Sequence, residues 1–171
     1  MIHHLTSADY KTMPWANGKG TTVEMFRVDV GGVLKWRLSR AAVVEDGDFS
    51  LFAGINRNLT VISGPGFDLV SADATLPARP LQPVAFSGDL PILAAGVTGP
   101  CDDFNVMTAA DLAKPQVQVV LAPADFPAGG TLAIFALAPG VAGNQTMALH
   151  DLIITDTATA VSGPAIVVRL W

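Results

Sequence analysis

The chain has a single cysteine in 171 residues, Cys101, so no internal disulfide can form and a reducing compartment suits it. Histidine is almost as scarce. His3 and His4 are adjacent at a terminus expected to fray and would point to opposite faces of a strand, and His150 stands alone. A site of imidazole and carboxylate ligands needs such groups clustered, so neither a bound metal nor another cofactor is expected. Positive charge is thin: ten Lys and Arg are scattered against fifteen Asp and Glu, for a net charge of −5. Without a basic stripe, nucleic acid is excluded as a partner, and a membrane surface lacks its electrostatic attraction. No apolar run approaches the roughly 20 residues that span a bilayer. The first residues carry neither the basic region nor the apolar core of a signal peptide, and a cytoplasmic location is expected. Familiar catalytic signatures are missing too. There is no nucleophile elbow, and Asn17-Gly18-Lys19-Gly20 fits neither a Walker nor a Rossmann fingerprint. Cys101 precedes two carboxylates, which raise a thiol pKa, so it reads as a small loop residue.

What is present is β-sheet. Half the residues are hydrophobic, mostly Ala, Val and Leu, while 16 Gly and 12 Pro punctuate the chain at short intervals. That pattern predicts an all-β sandwich or barrel, with strands at 23–30, 34–44, 59–63, 67–71, 117–121, 131–138, 151–155 and 165–170. In 34–44, Trp36, Leu38 and Arg40 face one way, and Arg37, Ser39 and Ala41 the other. Only 109–113 reads as helix, closed by Pro115. Residues 59–70 and 158–168 echo each other as extended segment, Ser-Gly-Pro turn and strand, and 34–44 has a rough counterpart in 131–141. The echo predicts one compact unit, 1–171, built of two related barrels: 1–121, and a smaller 122–171 beginning with a linker near 122–130.

Five motifs stand in order: Pro14-Trp15-Ala16-Asn17-Gly18-Lys19-Gly20-Thr21-Thr22; Trp36-Arg37-Leu38-Ser39-Arg40-Ala41; Gly47 to Arg57; Gly88-Asp89; and Asp103-Phe104-Asn105-Val106-Met107. In spacing and order they resemble the HutD/Ves family of cupin-like proteins, whose pattern runs PWxNGxGxT, WRxSxA, GxFSxFxGxxR, a GD turn and DFNxM. The resemblance is strong over 10–110 and weaker beyond. It departs at Ala16, where the family often has Lys, at Lys19, often Gly, and at Arg40, usually small or apolar. It implies a cupin-like jelly-roll β-barrel, duplicated as in bicupins, with little helix. It also implies a role in bacterial histidine utilisation, or, in the Ves branch, in stress response.

The residues themselves suggest a pocket for a small anion. Arg57 presents a planar fork that matches a carboxylate with two hydrogen bonds, and Arg37 shares a strand face with Ser39. Asn17 and Asn105 offer donor and acceptor, Lys19 a movable charge, and Trp15 and Phe104 flat apolar walls. Each has a structural alternative. Arg57 could bond Asp46 or Asp48, Arg37 could pair with Glu24, Asn17 could form the turn, and Asn105 could cap a strand end. With what the resemblance implies about pathway and ligands, two functional readings follow. One is a non-catalytic protein that binds a small carboxylate metabolite, of the urocanate, formylglutamate or formate class, and modulates histidine utilisation. The other is a metal-independent cupin enzyme, an isomerase, epimerase or hydrolase of a small organic acid. It needs a general base near neutrality, from among Glu24, Asp48, Asp89, Asp102 and Asp103, and a buried carboxylate beside Arg57 favours it. A homo-oligomer is compatible with either.

Overall fold

A computed structural model describes residues 1–15 and 20–171. The strands in chain order are β1 (Ile2–Leu5), β2 (Lys11–Pro14), β3 (Thr21–Val30), β4 (Val33–Val43), β5 (Gly47–Asp48), β6 (Ile55–Ser63), β7 (Phe67–Val70), β8 (Thr75–Ala78), β9 (Val84–Ser87), β10 (Leu93–Ala95) and β11 (Cys101–Ala109). After these come β12 (Gln116–Val120), β13 (Ala124–Phe126), β14 (Thr131–Ala136), β15 (Gly140–Ala142), β16 (Gln145–Met147), β17 (Leu152–Thr155), β18 (Thr159–Val161) and β19 (Ala165–Leu170). The protein is all-β, and no helix occurs among the described residues. The helix expected at 109–113 is absent. Ala109 instead pairs with Ile55 as the last residue of β11, and the Leu112 N–H closes a turn on the Ala109 carbonyl at 3.1 Å. Five residues offer too few hydrogen bonds to offset helix nucleation, whereas the sheet partner is already in place.

The chain divides into two compact units, Lys11–Leu112, and Met1–Tyr10 with Ala113–Trp171. The division therefore falls at 112/113 where the sequence suggested 121/122, and the N-terminus goes with the later residues. The reason is pairing: β1 lies antiparallel against β17, from Ile2 opposite Thr155 to Leu5 opposite Leu152. The terminus expected to fray is thus a paired strand.

Each unit is an eight-stranded jelly roll of two sheets. In Lys11–Leu112 the strands order as β4-β11-β6-β9 in one sheet, with β3 and β2 added at the β4 edge, and β5-β10-β7-β8 in the other. In the other unit they order as β12-β19-β14-β17, extended by β1, and β13-β18-β15-β16. Numbered within each unit, both read 1-8-3-6 and 2-7-4-5, the double-sheet arrangement of cupin-like folds. The two rolls share one strand order, and the correspondence of their strands differs from the sequence echo. β4 answers to β12 and β6–β7 to β14–β15, whereas the echo aligned 59–70 with β18–β19 and 34–44 with β14. A Ser-Gly-Pro turn recurs at two different corners of the roll, so turn chemistry alone misaligned the copies.

Packing follows the period-two alternation of the strands. In Lys11–Leu112 the inward residues Val43, Leu59, Val61, Phe67, Leu69, Phe86 and Cys101 form one apolar core between the sheets. In the other unit Leu132, Ile134, Met147, Ile153, Val161 and Val167 do the same. No helix among the described residues is long and apolar enough to cross a membrane.

Candidate functional site

The core of the Lys11–Leu112 roll stops short of one end, and there the inward face turns polar. Three neighbouring strands carry that face. β4 contributes Arg37, Ser39, Ala41 and Val43, β11 contributes Asp103, Asn105 and Met107, and β6 contributes Arg57. Register places them in rows: Arg37–Met107–Arg57, Ser39–Asn105–Leu59 and Ala41–Asp103–Val61. Two strand spacings separate the backbones of Arg37 and Arg57, about 10 Å. Trp15, Thr22 and the segment 48–52 complete a cavity of about 280 Å³. This lies just under the roughly 300–1,000 Å³ common for small-ligand pockets, which suits a metabolite of modest size.

Arg57 is the most constrained group in the cavity. It is 8% exposed, and its guanidinium carbon sits 5.3, 5.2 and 5.0 Å from the ring centres of Phe49, Phe52 and Phe86. Nη1 donates to the Ser50 carbonyl at 3.2 Å, while Nε has no partner among the described residues. Asp46, one alternative partner, instead accepts from the Val97 N–H at 2.8 Å. Three aromatic faces hold the fork by cation–π attraction and fix its plane. Burial lowers the Arg57 pKa to about 10, with Asp103 opposing the fall and Arg37 adding to it, so the cation persists at neutral pH. Arg37 takes the alternative foreseen for it. Its Nε lies 2.7 Å from Glu24 Oε2, an ion pair that is not aligned as a hydrogen bond.

The segment 48–54 is pinned from outside the cavity. Phe52 N–H donates to the Gly88 carbonyl at 2.8 Å, Gly88 N–H to the Ile55 carbonyl at 2.7 Å, and Gly54 N–H to Asp89 Oδ1 at 2.8 Å. A Cβ at Gly88 would stand 2.4 Å from the Phe52 carbonyl oxygen, so only glycine allows the approach. The Gly-Asp turn thus positions the segment that cages Arg57. Trp15 is fixed likewise: its indole Nε1 donates to Thr22 Oγ1 at 2.9 Å, and its backbone N–H to the Gly20 carbonyl at 2.8 Å.

Of the eight residues expected in the site, Trp15, Arg37, Ser39, Arg57 and Asn105 line this cavity together. Phe104 does not. It is fully buried on the opposite face of β11, because successive side chains of a strand alternate. Asn17 and Lys19 lie outside the described residues. Asp103, a candidate general base outside those eight, is the most buried polar residue lining the cavity among the described residues. It is 1% exposed; Asn105 Nδ2 donates to Oδ1, and Oδ2 has no partner among the described residues. Burial pushes its pKa up to about 7, with Asp102 adding to the rise and the Asn105 hydrogen bond and Arg57 opposing it. A carboxyl group poised between its two charge states therefore faces a cavity whose second feature is a caged guanidinium. No group of three or more His, Cys, Asp or Glu with metal-holding geometry occurs among the described residues.

Comparison with known proteins agrees with the motifs. The chain is 32% identical to HutD from Pseudomonas fluorescens SBW25, solved in a formate condition, with a TM-score of 0.92 over 99% of this chain and 98% of that one. It is 30% identical, with a TM-score of 0.88 over 99% and 98%, to PA5104 of Pseudomonas aeruginosa PAO1, a conserved protein of unknown function. An uncharacterized 21.2 kDa protein in the hutC 3' region of Pseudomonas putida is 38% identical over 117 residues, 67% of this chain and 62% of that relative. The HutD family itself matches residues 7–167. The protein belongs to the HutD family.

Proposed function

We propose that the protein binds a small carboxylate metabolite in this cavity and serves histidine utilisation through that binding, without catalysis. The observation that carries this reading is Arg57, a buried cation held flat by three phenyl rings with its Nε unpartnered. A carboxylate supplies the missing acceptors in the geometry that guanidinium prefers. Family membership, and the hutC neighbourhood of the Pseudomonas putida relative, support histidine utilisation as the setting. Urocanate, formylglutamate and formate are the ligands to test, formate also being the condition in which the Pseudomonas fluorescens HutD was solved. The single thiol, Cys101, is buried and agrees with a cytoplasmic location. With a net charge of −5, neither nucleic acid nor an anionic membrane is a partner in this reading.

Asp103 favours a second reading, a metal-independent enzyme, because a buried carboxyl near neutrality in the cavity that holds Arg57 is what a general base requires. Against it, no His, Cys or Tyr lines the cavity among the described residues, so Asp103 has no second acid–base partner of that kind. Proton NMR of each metabolite incubated with the protein separates the two. Saturable binding with unchanged ligand supports the first reading, and turnover that disappears in Asp103→Asn replaces it with the second.

A further inference from the structure

Among the described residues the cavity holds two arginines, and only one of their charges is open to a ligand. Arg37 is met by Glu24 at 2.7 Å, and Arg57 remains. Whether Arg57 is available depends on Asp103, whose unpartnered Oδ2 is buried in the same cavity. An ionised Asp103 would offset the guanidinium and repel an incoming anion in a medium where charges are poorly screened. An uncharged Asp103 leaves the cation whole and adds an O–H donor where the cavity otherwise has a bare acceptor.

Resting on the reading that this cavity takes a carboxylate, we propose that Asp103 takes part in binding as an uncharged acid, its Oδ2 hydroxyl donating to the ligand's carboxylate. Binding then takes up one proton from solvent whenever free Asp103 is ionised. The groups around Asp103 allow this. On β6 the facing charge is Arg57, and on β4 it is Arg37, already paired with Glu24 of β3. Asp48 of β5 also lines the cavity, and Asp102 is the neighbour on β11. The strands β9 and β10 bring no charged side chain. Asp102 disfavours a negative charge on Asp103, as does burial. Asn105 holds Oδ1 as acceptor, which directs the proton to Oδ2. A pKa near 7 in the free protein places the switch within the physiological range.

Calorimetric titration with formate and with urocanate, between pH 5.5 and 8.5 in buffers of low and high ionisation enthalpy, tests the proposal. The expected result is uptake approaching one proton per ligand above about pH 7, with Kd rising towards tenfold per pH unit. Asp103→Asn, which keeps a donor and removes the charge, should bind at pH 8 about tenfold more tightly than the native protein, with little pH dependence. A flat Kd without proton uptake, while Arg57→Ala still weakens binding at least about tenfold, would overturn the role of Asp103 and leave the site standing. Failure of both probes to bind at any pH would remove the site reading and this proposal together. If Asp103→Asn does not fold, carbon-13 titration of the native Asp103 carboxyl decides. Its pKa must rise when formate is bound, and an unchanged or lowered value refutes the proposal.

Discussion

At the scale of single residues, Arg57 and Asp103 make opposite predictions for stability and binding. Arg57 is both anchor and packing: truncation removes its charge from the cavity and its stack on three rings. Arg57→Ala should weaken carboxylate binding at least about tenfold, roughly 1.4 kcal/mol, and lower the melting temperature as well. Arg57→Lys should restore affinity only in part, since an ammonium keeps the charge and loses the fork. Calorimetry on the folded fraction checks this, and unchanged affinity with lost stability would make Arg57 a core residue only. Asp103 is a strained acid in the free protein. Its pKa is raised from 3.8 to about 7, so the fold keeps a proton that the unfolded chain releases earlier. The associated stability is complete below about pH 4 and is lost as pH rises through 7, leaving a buried carboxylate above that. Asp103→Asn should therefore be more stable than the native protein at pH 8, by on the order of a few kcal/mol, and the gap should close near pH 4. Urea melts at pH 4, 6 and 8 measure it.

Among the elements, the Gly-Asp turn is the one whose loss should spread. Gly88→Ala drives a Cβ against the Phe52 and Ile55 carbonyls, both backbone atoms, so the segment 48–54 must shift. A cost of about 1–3 kcal/mol is expected, with a melting temperature lower by roughly 2–10 °C and weaker ligand binding. Gly47→Ala, where a Cβ meets nothing within 4 Å, is the control and should change neither. The elements also explain what the sequence hid. Strands such as β4, β6 and β19 are legible because Val, Leu and Ile are concentrated in runs preceded by glycine or proline turns. β11 is not, since Asp102, Asp103 and Asn105 read as loop chemistry. Asp103 and Asn105 sit inside because they face the cavity rather than solvent, so the site itself breaks the pattern that announces a strand. β2 ends in Pro14, which an edge strand tolerates, and β5 has two residues, too few to show a period.

Across the whole molecule, one binding site per chain is expected despite two rolls of the same topology. The counterpart cavity in the other unit lies between β12, β13 and β19 and carries one arginine, Arg169. Both its terminal nitrogens are committed, to the carbonyls of Gly129 and Pro127, and its guanidinium stacks on Trp171 at 5.9 Å. Calorimetric stoichiometry near one, unaffected by Arg169→Gln, checks this; a second equivalent of bound formate would show both rolls competent. In the sequence the duplication shows only as a strand–turn–strand echo at 59–70 and 158–168 and a rough counterpart of 34–44 in 131–141. Its true register lies in strand order, which no short stretch of residues records.

A ribosome delivers β1 long before β17, its partner, since Ile2 pairs with Thr155. Every strand around the arginine cavity lies in Lys11–Leu112, so that roll is complete on the nascent chain while β1 still waits. Throughout the interval the waiting strand presents unpaired backbone donors and acceptors. Two chains maturing side by side can satisfy them with each other's β17, and strand-exchanged dimers are the misassembly to look for when synthesis is fast and crowded.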